Sequence, residues 1–235
     1  HIEIEQRARD PRHPAPGTRH PARVDLAPVS SCRLIADLSR QARIVGTEAL
    51  NPWILVTQNK SAADHAQLSE VFAWTEALRG RTVLIVHPFN QTIPTQLAKG
   101  GRAIWGRYAR HVMPEGIRFK YATAPQNIAK ARESADWQDA LDTLIDRVDA
   151  AGEFDLAMIS CGGLGMLLGA HLRATNRSSM YHGGDLQIWF GIYGKRWAGI
   201  SKMHHRNHSF YSNWLRPARS EVPEGAGAVE GGTYW

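Results

Sequence analysis

From Gly80 onward, short apolar runs alternate with stretches whose apolar residues recur every three or four positions. Thr82-Val83-Leu84-Ile85-Val86 is continuous and rich in β-branched residues, the pattern of a strand covered on both faces. Pro88 must lie outside it, because proline cannot donate to a ladder. Thr92 to Arg107 predicts a helix capped by Thr92, with Ile93, Leu97 and Ile104 inward. Ile117 to Ala122 predicts a weaker second strand. Ala135 to Ala151 predicts an amphipathic helix (Trp137, Leu141, Leu144, Ile145, Val148) closed by Gly152. Phe154 to Ser160 predicts a third, buried strand that runs through Cys161-Gly162-Gly163-Leu164-Gly165 into a helix over Met166 to Thr175. Ser179 to His182 predicts the last strand. The alternation implies an α/β fold: a Rossmann-like, mostly parallel sheet flanked by helices, with right-handed crossovers.

Upstream the pattern is looser. Ser30 to Ala49 predicts a helix with Leu34, Ile35, Leu38 and Ala42 on one side, and Asn51 to Val56 a short extended piece. Ser61 to Leu78 predicts a better helix, with Ser61 as cap and Leu68, Val71, Phe72 and Thr75 at helical spacing. His1 to Ala27 is rich in Arg, His and Pro and reads as a flexible arm. An opening residue other than Met favours an incomplete or processed chain. After Trp197 regular patterning fades. The expected organisation is one domain: a basic arm (1–29), a helical segment (30–79), the α/β core (80–200) and an irregular tail packing on the core (201–235).

Composition changes this picture little. In 235 residues, 43% hydrophobic and 21% charged, a single soluble core is the ordinary outcome. No apolar run approaches the roughly 20 residues that span a bilayer, and no basic region followed by an apolar one opens the chain. Cys32 and Cys161 form neither a disulfide framework nor a metal-type spacing, so the default compartment is a reducing cytoplasm. The net charge of +6 is spread without a dense Lys/Arg tract, which disfavours nucleic acid; a phosphorylated small molecule or an anionic membrane lipid suits the charge equally well.

In open α/β sheets ligands bind at the carboxyl ends of the strands. Three segments fall there. In the first, His87, Phe89 and Thr92 are candidates. In the second, Cys161, Gly162, Gly163 and Gly165 precede a helix whose free N–H groups suit an anion. In the third stand His182, Gly183, Gly184 and Gln187. Each has a plainer reading. The glycines could simply permit a tight turn, since neither Gly-x-Gly-x-x-Gly nor a P-loop is present. Cys161 is a better buried thiol than nucleophile. His182 and His87 are acid/base candidates or packing histidines. Lys195 and Arg196, beside Trp197, read as a phosphate clamp or a solvated turn. His204-His205-x-x-His208 has metal-like spacing without a nearby Cys or paired carboxylate, so no metal site is expected there. Asp185 and Glu230 are the acids nearest the glycine segments, which weakens a two-carboxylate hydrolase reading.

Several of these stretches resemble a group of bacterial proteins related to the GT-D type glycosyltransferases. The resemblance is carried by Gly80-Arg-Thr-Val-Leu-Ile-Val-His-Pro-Phe89 with Thr92-Ile93 and Gln96, by the two glycine segments together with Gly191-Ile-Tyr-Gly-Lys-Arg-Trp197, and by Val229-Glu-Gly-Gly-Thr-Tyr-Trp235. It implies a glycosyltransferase-like protein that binds a nucleotide-activated sugar in surface polysaccharide or glycan biosynthesis. A divalent cation, Mg or Mn, is the implied companion of that donor. The Asp-x-Glu motif of GT-D enzymes does not occur in this sequence. That gap motivates the alternative, a non-catalytic nucleotide- or glycan-binding module. Eight tryptophans leave room for a sugar-stacking face or a homo-oligomer interface.

Overall fold

A computed structural model describes residues 73–197 and 212–235. The predicted arm and helices upstream of residue 73, and the histidines at 204, 205 and 208, lie outside the described residues. Four strands form: β1 (Thr82–His87), β2 (Arg118–Thr123), β3 (Leu156–Ile159) and β4 (Ser179–Tyr181). All pair in parallel, in the order β2-β1-β3-β4. The helices are α1 (Ala73–Glu76), α2 (Thr92–Ala98), α3 (Gly101–Trp105), α4 (Ala109–Val112), α5 (Trp137–Ala150), α6 (Gly162–Ala174) and α7 (Leu186–Trp189). This is the Rossmann-like, parallel α/β architecture that the alternating pattern predicts.

The alternation of side chains along β1 assigns the helices to two faces. Val83 and Ile85, with Leu156 and Met158 of β3, pack with Ile93, Ile104, Trp105, Val112 and Trp189 from α2, α3, α4 and α7. Leu84 and Val86, with Ala157 and Ile159, pack with Leu144, Val148, Leu168 and Leu172 from α5 and α6. The chain therefore leaves β1 toward β2 over one face and returns past it to β3 over the other. The direction of winding reverses between β1 and β3. Outside their carboxyl ends lies the crevice that such a reversal creates.

Four local readings need correction. The predicted helix over Thr92 to Arg107 is broken after Ala98, where Gly100 takes φ +83, and again at Gly106, φ +57. Thr92 is not its cap but its first residue. The third concerns the glycine segment after β3, which is no loop: α6 already begins at Gly162. In α5, Asp136 is the N-cap and accepts the Asp139 N–H at 2.9 Å. Its buried stripe is Ala140, Leu144 and Val148, and Trp137 stands 58% exposed rather than inward.

Most of the described tryptophans serve the core. The Trp105 indole N–H donates to the Trp189 carbonyl at 2.8 Å, Trp189 to Val112 at 2.8 Å, and Trp214 to Ile104 at 2.7 Å. Each ring buries its bulk while its polar edge finds an acceptor. Gln96 ties α2 to the turn after α7, donating to the Phe190 and Gly191 carbonyls.

Candidate functional site

A cavity of about 290 Å³ opens where the winding reverses. Its floor is made at the strand ends: His87 ending β1 with Pro88 and Phe89 after it, Ser160, Cys161 and Gly162 after β3, and Tyr181 ending β4. Ala124, Gln126 and Ile128 close one side. Val229, Glu230, Tyr234 and Trp235 form the roof. The size sits at the lower end of small-ligand sites, and the mix of apolar walls with a few polar groups is typical of them. A second, open and more polar cavity of about 600 Å³ adjoins it, sharing Pro88, Ala124 and Gln126.

His87 is buried at the cavity floor, its ring 4.5 Å from that of Phe89. Its Nδ1 accepts the Phe89 N–H at 2.9 Å, which leaves the ring proton on Nε2. Burial pushes its pKa down to about 3. The group is thus a neutral N–H donor across the physiological range and a feeble base.

Cys161 precedes α6 and lines the cavity, but burial pushes its thiol up to about 12. A thiol held that firmly protonated is no nucleophile. Gly162, also lining the cavity, takes φ +60, a conformation that favours glycine. No side chain caps the N-terminus of α6, so the first-turn donors and the positive dipole end are left to solvent or ligand. A Cβ on Gly162 or Gly163 would meet nothing within 4 Å. Gly165 is different: a Cβ there would lie 2.7 Å from Ile159 Cγ2 and 2.9 Å from Tyr181 Cε2. Its role is to let α6 settle on the sheet.

The corresponding turn after β1, where dinucleotide folds hold a pyrophosphate, is filled by the protein itself. The buried Glu221 carboxylate accepts the N–H groups of Gln91 at 2.7 Å and Thr92 at 3.2 Å, and a short hydrogen bond from the Thr92 hydroxyl. Thr92, a ligand candidate in the sequence, is therefore a structural partner of Glu221.

The other candidates divide as follows. Gly184 and Gln187 line the cavity; His182 does not. His182 packs into the core 6.2 Å from the Trp74 ring, with both ring nitrogens buried and unpartnered, and burial lowers its pKa to about 4. Gly183, φ +66, shapes the turn after β4. Lys195 and Arg196 do not line the cavity but hold the chain's last segment: Lys195 Nζ donates to the Gly231 carbonyl at 2.9 Å, and Arg196 pairs with Glu230 at 3.3 Å. Sequence reasoning missed Ser160, Tyr181, Gln126 and the whole roof. The only signal for the roof was the compact Val229–Trp235 motif.

A divalent cation does not fit this donor set. Among the described residues no three His, Cys, Asp or Glu side chains cluster, and the cavity's one carboxylate, Glu230, is paired with Arg196. No helix among the described residues is long and apolar enough to cross a membrane. No protein-family model, curated protein or solved structure matches the chain.

Proposed function

We propose that this chain is a small-ligand-binding domain whose cavity takes a phosphorylated metabolite of the nucleotide class. One observation carries the reading: the uncapped N-terminus of a thirteen-residue helix, at Gly162, opens into an enclosed cavity at the point where the winding reverses. Backbone N–H groups there suit a phosphate, and Phe89, Tyr181 and Tyr234 offer aromatic walls to a ring. His87 adds a neutral donor.

The same geometry supports binding better than glycosyl transfer. Transfer needs a base for the acceptor hydroxyl and cations or a metal for the departing diphosphate. His87 is held near pKa 3, His182 lies off the cavity, and Lys195 and Arg196 are engaged elsewhere. Glycan assembly, the setting implied by the resemblance, therefore guides the choice of probes. Titration calorimetry with UDP, ADP, GDP, UDP-glucose and inorganic phosphate tests the proposal. At least one nucleoside diphosphate is expected to bind about tenfold or more tighter than phosphate, a difference of ~1.4 kcal/mol. Absence of binding by every nucleotide probe overturns it.

A further inference from the structure

We infer that Val229–Trp235 is a strap that gates the cavity, undocking from the core as a unit to admit ligand; the inference rests on the cavity being a binding site. The strap supplies the roof through Val229, Glu230, Tyr234 and Trp235. Every other wall belongs to the strand ends, to α6, to α7 through Gln187, or to turns packed against them. The strap is attached differently. Backbone bonds run from Lys195 N–H to the Trp235 carbonyl at 2.9 Å and from Arg196 N–H to the Thr233 carbonyl at 3.0 Å. Gln187 Nε2 reaches the Tyr234 carbonyl at 3.3 Å. Arg196 lies over the Tyr234 ring at 5.3 Å and pairs with Glu230 in the open, where an ion pair adds little. None of the strap's residues is fully buried, in contrast to the strands beneath. Lys195 Nζ and Arg216 add bonds to the Gly231 and Trp235 carbonyls, and Tyr234 and Trp235 pack on the core with part of each ring exposed. A segment tied by about half a dozen mostly exposed bonds and two partly exposed rings opens before the strands do.

Two glycines are shaped to receive it. A Cβ on Gly194 would stand 2.4 Å from the Tyr234 carbonyl carbon and 2.5 Å from the Thr233 oxygen. One on Gly184 would stand 2.8 Å from Tyr234 Cε1. The strap itself turns through three consecutive left-handed residues, Glu230 (φ 46), Gly231 (φ 68) and Gly232 (φ 76), and Glu230 holds that conformation under strain. Docking thus depends on backbone lying against backbone. The smallest side chain at Gly194 prevents it.

Cys161, beneath the strap, reports opening. The test is iodoacetamide alkylation of the full chain, with peptide mass spectrometry separating Cys161 from Cys32 and hydrogen exchange following residues 229–235. In Gly194→Val, exchange in 229–235 is expected to rise and Cys161 to react about tenfold or more faster than in wild type, with unchanged far-ultraviolet circular dichroism. Gly184→Ala is expected to give a smaller increase of the same kind, and it decides the matter if Gly194→Val fails to fold. Raised exchange with an unchanged Cys161 rate overturns the gate. Unchanged exchange in the folded variant overturns the docking geometry and the gate with it. The experiment uses no ligand, so a failed nucleotide titration and a failed gate are separate results.

Discussion

Replacing Glu221 by alanine is expected to cost roughly 3 kcal/mol, read as a lower urea midpoint at neutral pH. The carboxylate is 4% exposed and gathers four donors: the N–H groups of Gln91, Thr92 and Ala218 (the last at 3.2 Å) and the Thr92 hydroxyl. Hydrogen bonds to a charged group contribute about 1.5–3 kcal/mol each, and the positive end of α2 adds a fraction more. The donors are not additive, since water will reach some of them in the cavity that alanine leaves. Glu221→Gln keeps the shape and can still accept from Gln91 and Thr92. Its amide N–H groups would face Ala218 N–H, so about half the loss is expected. A cost below ~1 kcal/mol for alanine would show that the turn after β1 does not depend on this internal anion.

Acid is expected to unfold the protein early, and His182 and His87 are the cause. Burial lowers both folded-state values, to about 4 and about 3, against roughly 6.5 in the unfolded chain. The unfolded state therefore binds more protons than the folded state below pH 6.5. The stability associated with the neutral rings is fully present above pH 6.5. It falls as pH drops through the window from 6.5 toward 4 and 3. The slope approaches ~1.4 kcal/mol per pH unit for each histidine, or about 2 kcal/mol each between pH 6.5 and 5. His182→Leu removes two buried, unpartnered nitrogens at similar volume. It forfeits the ring contact with Trp74, worth about 0.5–1.5 kcal/mol, but spares a desolvation penalty of about 1–3 kcal/mol. A net gain of roughly 1 kcal/mol at pH 7 is expected, rising to about 3 at pH 5. Urea midpoints at the two pH values measure it. A variant as acid-labile as wild type would place the lability elsewhere. Unchanged ligand binding in this variant is also expected, because His182 stands off the cavity.

What the sequence made legible follows burial and distance along the chain. β1 was readable because both its faces are covered, so its whole run is apolar. β2 lies at an edge and has one buried residue, Ala122, which is why its predicted bounds slipped by one. The glycine segments correctly marked places where backbone comes close to something. Their partners were not readable. Gly162 faces the cavity, whereas Gly184 and Gly194 face Tyr234 and its neighbours, residues of the same chain some 40 to 50 positions on. Lys195 and Arg196 look like a phosphate clamp for the same reason: the carbonyl and the carboxylate that satisfy them, as a phosphate could, are far away in sequence. Thr92 and Glu221 are 129 residues apart, and no local pattern joins them.

The proposed place of the ligand's anionic group is the first turn of α6, and Gly163 allows a direct measurement. Its Cβ position is open, and aspartate there adds a favourable charge at a helix N-terminus while replacing a helical glycine. Gly163→Asp should thus raise stability by about 1 kcal/mol. Calorimetric titration of the best-binding nucleoside diphosphate into this variant and wild type is the decisive comparison. The expected result is an affinity at least about tenfold weaker in a more stable protein, because the new carboxylate at the same first turn competes for its N–H groups and repels the phosphate. Equal affinity in the two proteins would rule out the first turn of α6 as the place of the phosphate.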